Sequence, residues 1–497
     1  MGALAVMPAM ADQRPNIIYI MCDDMGYGDL HCYGQQYIAT PNIDRLAAEG
    51  MRFTQAYSGS PVSAPSRACF MTGQHTGHTH VRGNKEYWNN SNLNKQYGKN
   101  TDYSVVGQEP YDTAHVIIPE IFQDNGYATG MFGKWAGGYE GSVSTPEKRG
   151  IDEFYGYICQ FQAHLYYPNF MNKYSRSNGD TEVTRETLEE NIKYAMYGNE
   201  YANRSQYSSD LIHQKALEWL DKQSADQPFL GIFTYTLPHA ELRQPNDSIL
   251  KAYMSRFCED KKFTGNQPSR YNPTNHAHAE FAAMITRLDQ QVGQIIDKLK
   301  EKGLDKNTVV IFTSDNGPHE EGGADPTFFN RDGLLKGLKR STYEGGIRIP
   351  FIAWWPGHIK AGSTSDHIFA FYDLMPTFCD IAGISNYVDK YRNPRLGDKD
   401  YFDGISIYPT LVGEGQQKEH DHLYWEFHET DMMAVRWGNF KLVVNKGTPY
   451  LYDLARDIHE DTDIKASYPD VLKKMIDMIY DDHTNSSLFR VTLPAKR

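Results

Sequence analysis

The sequence is short of the features that mark several classes of protein. Its 497 residues contain no apolar run of the length, about 20 residues, that a helix needs to cross a bilayer, so no membrane span is predicted. The formal net charge is -13, which argues against nucleic acid as a partner because phosphate binding requires a basic face. This charge does not exclude an anionic substrate, since a pocket can concentrate positive charge locally.

Cysteine is also sparse. The six cysteines are scattered and form no C-x-x-C pair, which speaks against a zinc cluster and against a disulfide-dense scaffold. We expect most of them to be buried thiols. They are Cys22, Cys32, Cys69, Cys159, Cys258 and Cys379.

The N-terminal segment is small and apolar up to Ala11 and ends in Ala9-Met10-Ala11, the A-x-A form that signal peptidase recognises. We interpret residues 1–11 as the remnant of an export signal. Because the usual basic segment does not precede it, a chance cluster of small residues is the alternative.

Four short apolar segments read as buried strands, each followed by polar residues. The segments are 16–21, 127–132, 229–236 and 308–314. The polar residues after them are Asp23, Asp24, Lys134, His239, Asp315 and Asn316. Since open α/β sheets bind ligands at the carboxyl ends of their strands, we expect these side chains to converge.

Helical patterns alternate with these strands and predict an α/β fold with a mostly parallel, doubly wound sheet flanked by helices. Residues 42–49 and 279–303 show apolar residues at helical spacing with terminating glycines. Past Gly413 the pattern changes to four short strands and one helix, which predicts a small C-terminal α+β domain with an antiparallel sheet. We place the domains at 12–415 and 416–497. Three long, Tyr-rich connections, 84–113, 156–207 and 240–275, are candidate recognition loops.

Asp23, Asp24, Asp315 and Asn316 offer the hard oxygen ligands that Ca²⁺ or Mg²⁺ requires. Asp and Asn after a strand also cap helices and form turns, and these pairs alone do not decide between the two interpretations.

The stretch PVSAPSRACFMTG, residues 61–73, poses a similar choice. In one interpretation Ser63 is a helix N-cap, Pro65 an early helical residue and Arg67 a surface residue. In the other, Ser63 is a nucleophile whose position at a helix N-terminus directs backbone N–H groups toward an anion.

This stretch resembles the signature of the type I, formylglycine-dependent sulfatases: C or S, any residue, P-S-R, then T-G. RPNIIYIMCDDMGYGDL, TPNIDRLAAEGMRFT, GKW, LPH, FTSDNG and STYEGGIRIP resemble further blocks of that family in the same order, from residue 14 to about 450. The resemblance implies an alkaline-phosphatase-like fold and the hydrolysis of a sulfate ester.

The resemblance also implies roles for individual residues. Ser63 would be oxidised to formylglycine, and Asp23, Asp24, Ser63, Asp315 and Asn316 would hold a calcium ion. Arg67 would steady the hydrated aldehyde, Lys134 and Lys339 would hold sulfate oxygens, and His239 would act on the leaving oxygen or the sulfate. In the family the lysine lies five residues before the Glu of EGG, which is Glu344 here, so the matching lysine is Lys339. Lys336 is then expected to be a solvated surface charge.

The chain departs from the family at one place. Relatives commonly have histidine after GKW, and here Ala136 takes that position. His164 is a candidate to replace it in the pocket, the alternative being a histidine packed among tyrosines. His78 and Arg82 are further candidates for substrate contact, although Arg82 could simply tie down a loop.

The expected substrate is a sulfated glycan of host or dietary origin, cleaved by exo action at a galactose or N-acetylgalactosamine sulfate. In this family, serine instead of cysteine at position 63 implies an anaerobic formylglycine-generating maturase and therefore an anaerobic bacterium, unless a native cysteine was replaced. The export segment then implies a location in the periplasm of an anaerobic Gram-negative bacterium. The alternatives are a two-metal phosphoesterase of the same superfamily and a non-catalytic glycan-binding relative.

Overall fold

The structure is a computed structural model that describes residues 14–88, 103–196, 205–258, 260–265 and 271–496, without the side chains of 193–196. The predicted export segment, 1–11, and parts of the three long connections lie outside these residues. Among the described helices, none combines the length and the apolar character needed to cross a membrane. Four of the cysteines are buried, as expected, whereas Cys32 is half-buried and Cys258 is exposed.

The described residues form a large mixed sheet, a four-stranded sheet and a two-stranded antiparallel sheet. The strands are β1 Asn16–Cys22, β2 Met51–Tyr57, β3 Glu86–Trp88, β4 Val105–Gln108, β5 Ala128–Lys134, β6 Glu153–Tyr157, β7 Phe170–Ser175, β8 Thr184–Thr187, β9 Phe229–Thr234, β10 Thr308–Ser314, β11 Arg348–Trp354, β12 Ser363–Ser365, β13 Phe369–Ala370, β14 Leu423–Phe427, β15 Met432–Trp437, β16 Phe440–Asn445 and β17 Thr448–Asp453. The large sheet has 11 strands in the order β12-β2-β11-β10-β1-β9-β5-β6-β7-β8, with β13 also paired to β2.

The four strands predicted from the sequence lie side by side at the centre of this sheet. β1 pairs in parallel with β10 and β9, and β9 pairs in parallel with β5. The register aligns Asn16 with Thr308 and Ala128 with Phe229. All four carboxyl ends therefore meet at one edge of the sheet, as predicted.

Helices cover both faces of the sheet. They are α1 Pro41–Glu49, α2 Ser63–Thr72, α3 Ile118–Asp124, α4 Glu189–Met196, α5 Ser208–Lys222, α6 Ser248–Arg256, α7 Ala277–Glu301, α8 Pro326–Phe329, α9 Glu344–Ile347, α10 Leu374–Ile381, α11 Tyr387–Tyr391, α12 Tyr408–Val412 and α13 Pro469–Asp482. β1 alternates between two cores: Ile18 and Ile20 join the core under α1, α5, α6 and α7, whereas Ile17 and Tyr19 join the core under α2, α3 and α10. This is the predicted arrangement of a mostly parallel sheet with helices on both sides.

The C-terminal unit is the predicted antiparallel sheet with one helix. β14 to β17 pair in sequence order, and α13 packs against them through Leu472, Met475 and Ile479. Trp425 of β14 donates its indole N–H to the carbonyl oxygen of Ser58 at 2.9 Å. The small sheet is thereby attached to the segment that leads into α2.

Candidate active site

Ser63 is the first residue of α2, and its side chain does not cap the helix. The cap position belongs to Val62, so the structure does not support the interpretation of Ser63 as an N-cap. The Ser63 hydroxyl instead lies 2.6 Å from Asp315 Oδ2 and 3.0 Å from Asp23 Oδ1, within donating distance of both carboxylates. The Lys134 ammonium donates to Ser63 Oγ at 3.0 Å. These contacts hold a buried hydroxyl among charged groups delivered by three strand ends.

Three carboxylates and one amide converge beside Ser63. Asp23 and Asp24 follow β1, and Asp315 and Asn316 follow β10; all four are buried. The backbone N–H of Asp24 donates to Asp315 Oδ1 at 3.0 Å, and Asn316 Nδ2 donates to Asp24 Oδ1 at 2.7 Å. The parallel pairing of β1 and β10 thus brings the two polar pairs together.

The donor set of this cluster fits calcium. It consists of oxygen atoms, which hard divalent cations prefer over nitrogen and sulfur. Asn316 Oδ1 is buried and accepts no hydrogen bond from the described residues. A buried acceptor without a donor is costly unless a cation or a water satisfies it.

Three cationic side chains balance the three carboxylates. Lys134 Nζ donates to Asp23 Oδ2 at 2.6 Å, and Lys339 Nζ donates to Asp24 Oδ2 at 2.7 Å. Arg67 donates to Asp315 Oδ2 through Nη2 at 2.8 Å and Nε at 3.1 Å. Arg67 is only 1% exposed, so the interpretation that made it a surface residue is wrong.

These pairs control the protonation of the carboxyl groups. Burial by itself raises the pKa of Asp24, but positive charge close by, first that of the Lys339 ammonium, outweighs it and holds this pKa well below its usual range. Burial likewise raises the pKa of Asp23, and Lys134 and Arg67 bring it below its ordinary value. Both side chains are therefore carboxylates at neutral pH.

His239 and Glu321 complete the site around Lys339. Lys339 Nζ donates to His239 Nε2 at 2.9 Å and lies 3.4 Å from Glu321 Oε2, which also accepts from the Tyr271 hydroxyl at 2.7 Å. Burial and then the Lys339 ammonium lower the pKa of His239 to about 3, so the imidazole is neutral. Its Nδ1–H donates to the carbonyl oxygen of Ala240.

Glu321 and Tyr271 were not identified from the sequence. Glu321 lies in the same β10 loop as Asn316, five residues on, and its position after a predicted strand end was the one available signal. Tyr271 belongs to the long connection 240–275, where composition indicated a recognition loop but no particular residue.

His164 reaches the site, as the sequence suggested. Its ring stacks on that of His239 with 4.2 Å between centroids and 10° between planes. Burial, the His239 imidazole and the Lys134 ammonium lower the pKa of His164 well below its ordinary value. Ala136, which replaces the expected histidine, is fully buried and has a φ of 59°.

His78 and Arg82 do not reach the Ser63 cavity, contrary to prediction. Arg82 donates to Glu426 Oε1 at 2.8 Å and to Thr484 Oγ1 at 2.6 Å. Its charge is therefore paired with a carboxylate of the C-terminal unit. His78 lies 2.9 Å from Asp403 Oδ1 and stacks on Tyr401 with 3.6 Å between centroids. Both residues line a different cavity of about 280 Å³.

A cavity of about 450 Å³ opens above Ser63. It is lined by Val62, Ser63, Asn84, Glu86, Lys134, Gln160, Phe161, His164, His239, Tyr271, Glu321, Lys339 and Arg340. Lys336 is not among these residues; its ammonium donates to the carbonyl oxygen of Glu460 at 2.7 Å. A hydroxyl-bearing side chain among fixed cations and a carboxylate cluster can attack an anionic ester and stabilise the charge that develops.

Two family models match this chain. A sequence model of the family described as Sulfatase matches residues 15–384, and one described as N-sulphoglucosamine sulphohydrolase, C-terminal, matches residues 337–484. The N-acetylgalactosamine-6-sulfatase of Rattus norvegicus is 32% identical over 451 residues, covering 89% of this chain and 73% of its own. The N-acetylgalactosamine-6-O-sulfatase of Bacteroides thetaiotaomicron is 27% identical over 522 residues, covering 94% of this chain and 93% of its own.

A solved structure is similar over nearly the whole chain. The crystal structure of Ps i-CgsB in complex with k-i-k-neocarrahexaose has a TM-score of 0.70 and 25% identity, covering 97% of this chain and 96% of its own. The similarity therefore extends over the large sheet and the C-terminal unit.

Proposed function

The chain belongs to the sulfatase family and is a sulfuric ester hydrolase, and we propose that it removes an O-sulfate from a terminal galactose or N-acetylgalactosamine of a sulfated glycan. The observation that carries the proposal is the position of Ser63 Oγ, within 3.0 Å of two carboxylates and the Lys134 ammonium. This hydroxyl lies in a cavity that also contains Lys339 and His239.

Two groups would complete the site. Ser63 would be matured to formylglycine, whose hydrated aldehyde would supply the attacking hydroxyl and would allow sulfate to leave by C–O cleavage. Asp23, Asp24, Asp315, Asn316 and residue 63 would hold Ca²⁺, which supplies Lewis acidity when bound.

The chain's own side chains would position the ester and handle its charge. Lys134 and Lys339 would bind sulfate oxygens, and Arg67 would fix Asp315 and the reacting group beside it. Lys339 donates to the neutral His239, so this pair holds a proton at Nζ beside the cavity. We propose that the pair protonates the sugar oxygen as it leaves.

Three features support a terminal sugar as the substrate. The two N-acetylgalactosamine sulfatases named above match most of this chain, and the similar crystal structure contains an oligosaccharide. The cavity walls include Phe161 and Tyr271, and aromatic rings pack on the apolar faces of sugars. A volume of about 450 Å³ suits one or two sugar units, which favours exo action.

A two-metal phosphoesterase is less compatible with the contacts. Two groups of side chains lie close enough to ligate a cation: one is Asp23, Asp24 and His239, and the other is Asp24, His319 and Glu321. The Lys339 ammonium, however, already occupies Asp24 Oδ2 and His239 Nε2, the atoms a second metal would use. Both ring nitrogens of His319 are bonded as well, to Pro238 O at 3.1 Å and to the Glu321 N–H at 3.1 Å.

We also propose the domain division 12–415 and 416–497, maturation by an anaerobic formylglycine-generating enzyme, and export to the periplasm. The first rests on the separate C-terminal sheet, the second on serine at position 63 and the third on the segment that ends in Ala9-Met10-Ala11.

Peptide mass and sulfate release test the proposed function. Protein from a host with the serine-type maturase should carry a residue-63 peptide that is lighter by two hydrogen atoms, and it should release sulfate from galactose or N-acetylgalactosamine sulfates. Ser63→Ala protein is the control and should release none. A converted, folded protein that desulfates no sugar in a panel of defined mono-sulfated monosaccharides would refute the sugar assignment. An unshifted mass in an active protein would refute the maturation.

A further inference from the structure

Gln160 presents an unused hydrogen-bond acceptor beside the reacting group. It lies in the loop after β6 and lines the cavity above Ser63. Its side chain is only 6% exposed, and Oε1 is buried without a partner among the described residues. Its Nε2 donates to Asn84 Oδ1 at 2.8 Å. A buried amide oxygen left without a donor is costly, so this oxygen needs a donor from a ligand or a water.

Asn84 presents the complementary donor. Its Oδ1 accepts from Gln160 Nε2 and faces the backbone N–H of Ala64 at 3.4 Å. Because Oδ1 accepts these hydrogen bonds, the Nδ2 end of the amide is available to donate to a ligand. Asn84 also lines the cavity, and Ala64 is the residue after Ser63. The amide pair is therefore adjacent to the group that would attack the sulfate.

Both amides are held in place through their backbones. The N–H of Gln160 donates to Gln108 Oε1 at 2.8 Å, and the N–H of Asn84 donates to Glu429 Oε1 at 2.7 Å. Gln108 is fully buried, and Glu429 comes from the turn between β14 and β15. A donor and an acceptor fixed side by side form a pre-organised recognition site, because little entropy is lost when a ligand binds.

We infer that Gln160 and Asn84 bind the acetamido group of the sugar that carries the sulfate, and so select N-acetylhexosamine over hexose. This inference rests on the proposed function. The acetamido N–H would donate to Gln160 Oε1, and the acetamido oxygen would accept from Asn84 Nδ2. A hydroxyl also donates and accepts, but it does both from one oxygen atom, whereas the acetamido group carries its donor and its acceptor on separate atoms, as the two amides do.

The test compares substrates that differ only in this group. Protein with verified conversion at position 63 is assayed on N-acetylgalactosamine 6-sulfate, galactose 6-sulfate and 4-nitrophenyl sulfate. The wild type should prefer the first over the second. Gln160→Leu should lower kcat/KM on N-acetylgalactosamine 6-sulfate by on the order of 10- to 100-fold, because the ligand amide loses its buried acceptor. Activity on 4-nitrophenyl sulfate should change less than about threefold, since this ester has no sugar.

Gln162→Leu is the matched control. Gln162 is equally buried and two residues away, but its Nε2 donates to Val105 O and it does not line the cavity. This variant should keep the sugar preference of the wild type. Asn84→Ala provides a second test at a half-buried position, where folding is more tolerant, and should show the same selective loss.

The outcomes separate this inference from the proposed function. If the wild type desulfates both sugars but Gln160→Leu and Asn84→Ala lose activity equally on all three substrates, or lose none, the acetamido assignment is wrong and the sugar sulfatase assignment stands. If the wild type cleaves 4-nitrophenyl sulfate but none of the galactose or N-acetylgalactosamine sulfates in a panel that covers every sulfate position, both are wrong. Selective loss on N-acetylgalactosamine 6-sulfate in both variants supports the inference.

Discussion

Replacing Lys339 by methionine tests the arrangement of the site most directly. The substitution keeps the length of the side chain and removes one charge. Lys339 Nζ lies 2.7 Å from Asp24 Oδ2 and 3.4 Å from Glu321 Oε2. At an effective dielectric constant of about 20, the first contact corresponds to roughly 6 kcal/mol of Coulomb energy before the cost of desolvation.

The expected effects follow from these contacts. Removing one member of a buried ion pair usually costs about 3–5 kcal/mol, because the remaining charge stays buried without a partner. Bound calcium at Asp24 would offset part of this cost. For catalysis, loss of one fixed donor to the transferring group should lower kcat by about 10²- to 10³-fold.

The assay measures sulfate release and thermal unfolding of Lys339→Met and Lys336→Met side by side. Lys336 lies three residues away and bonds to the carbonyl oxygen of Glu460, outside the cavity. Its variant should keep kcat/KM within about threefold of the wild type. A Lys339→Met protein that is folded and has near-normal kcat/KM, or a Lys336→Met protein with an equal loss, would refute the assigned role of Lys339.

Three further predictions concern the metal, the C-terminal unit and pH. Calcium at about 100 times its Kd should stabilise the wild type by about 2.7 kcal/mol, and Asn316→Ala should reduce this gain in a thermal shift series; an equal gain would exclude Asn316 as a ligand. Arg82→Ala should lower the unfolding free energy by about 3–5 kcal/mol while KM stays unchanged, since Arg82 bonds to Glu426 and Thr484 and not to the Ser63 cavity; a raised KM would restore its predicted substrate role. Burial lowers the pKa of His213 to about 4, below its unfolded value near 6.5. Since the unfolded chain binds a proton here more readily, the free energy of unfolding is unaffected by this group above pH 6.5 and falls as the pH drops toward 4. Urea unfolding between these pH values should show a drop of up to about 3 kcal/mol from this group, and His213→Gln should flatten the curve by that amount.

The central sheet and the convergence of the carboxylates at its edge could be predicted from the sequence because the signals are local. An apolar strand followed by Asp23 and Asp24, or by Asp315 and Asn316, is visible within ten residues. The rule that parallel strands bind ligands at their carboxyl ends then brings these residues together without any knowledge of the remaining chain. The C-terminal sheet followed from equally local alternation and short turns.

The errors arose where distant segments decide what a side chain does. Arg82 was expected to contact substrate, but its partners Glu426 and Thr484 lie more than 300 residues away in the sequence. His78 is likewise bonded to Asp403. Ser63 was offered as a helix cap because serine usually caps, yet Asp23 and Asp315, brought in by two strands, provide stronger acceptors for its hydroxyl. No local pattern contains these partners.

The charges of the site explain how an acidic chain can be specific for an anionic ester. Three carboxylates and three cations are buried together, so the described cluster is close to neutral by itself. With the proposed calcium bound, it would carry two excess positive charges in a region of low dielectric, where an uncompensated charge is costly. A sulfate group that enters the cavity would remove this cost, and the removal would be greatest when negative charge accumulates on the sulfate during transfer. The residues that give the chain its net charge of -13 lie outside this cluster, so the potential in the cavity is set mainly by the charges of the cluster itself.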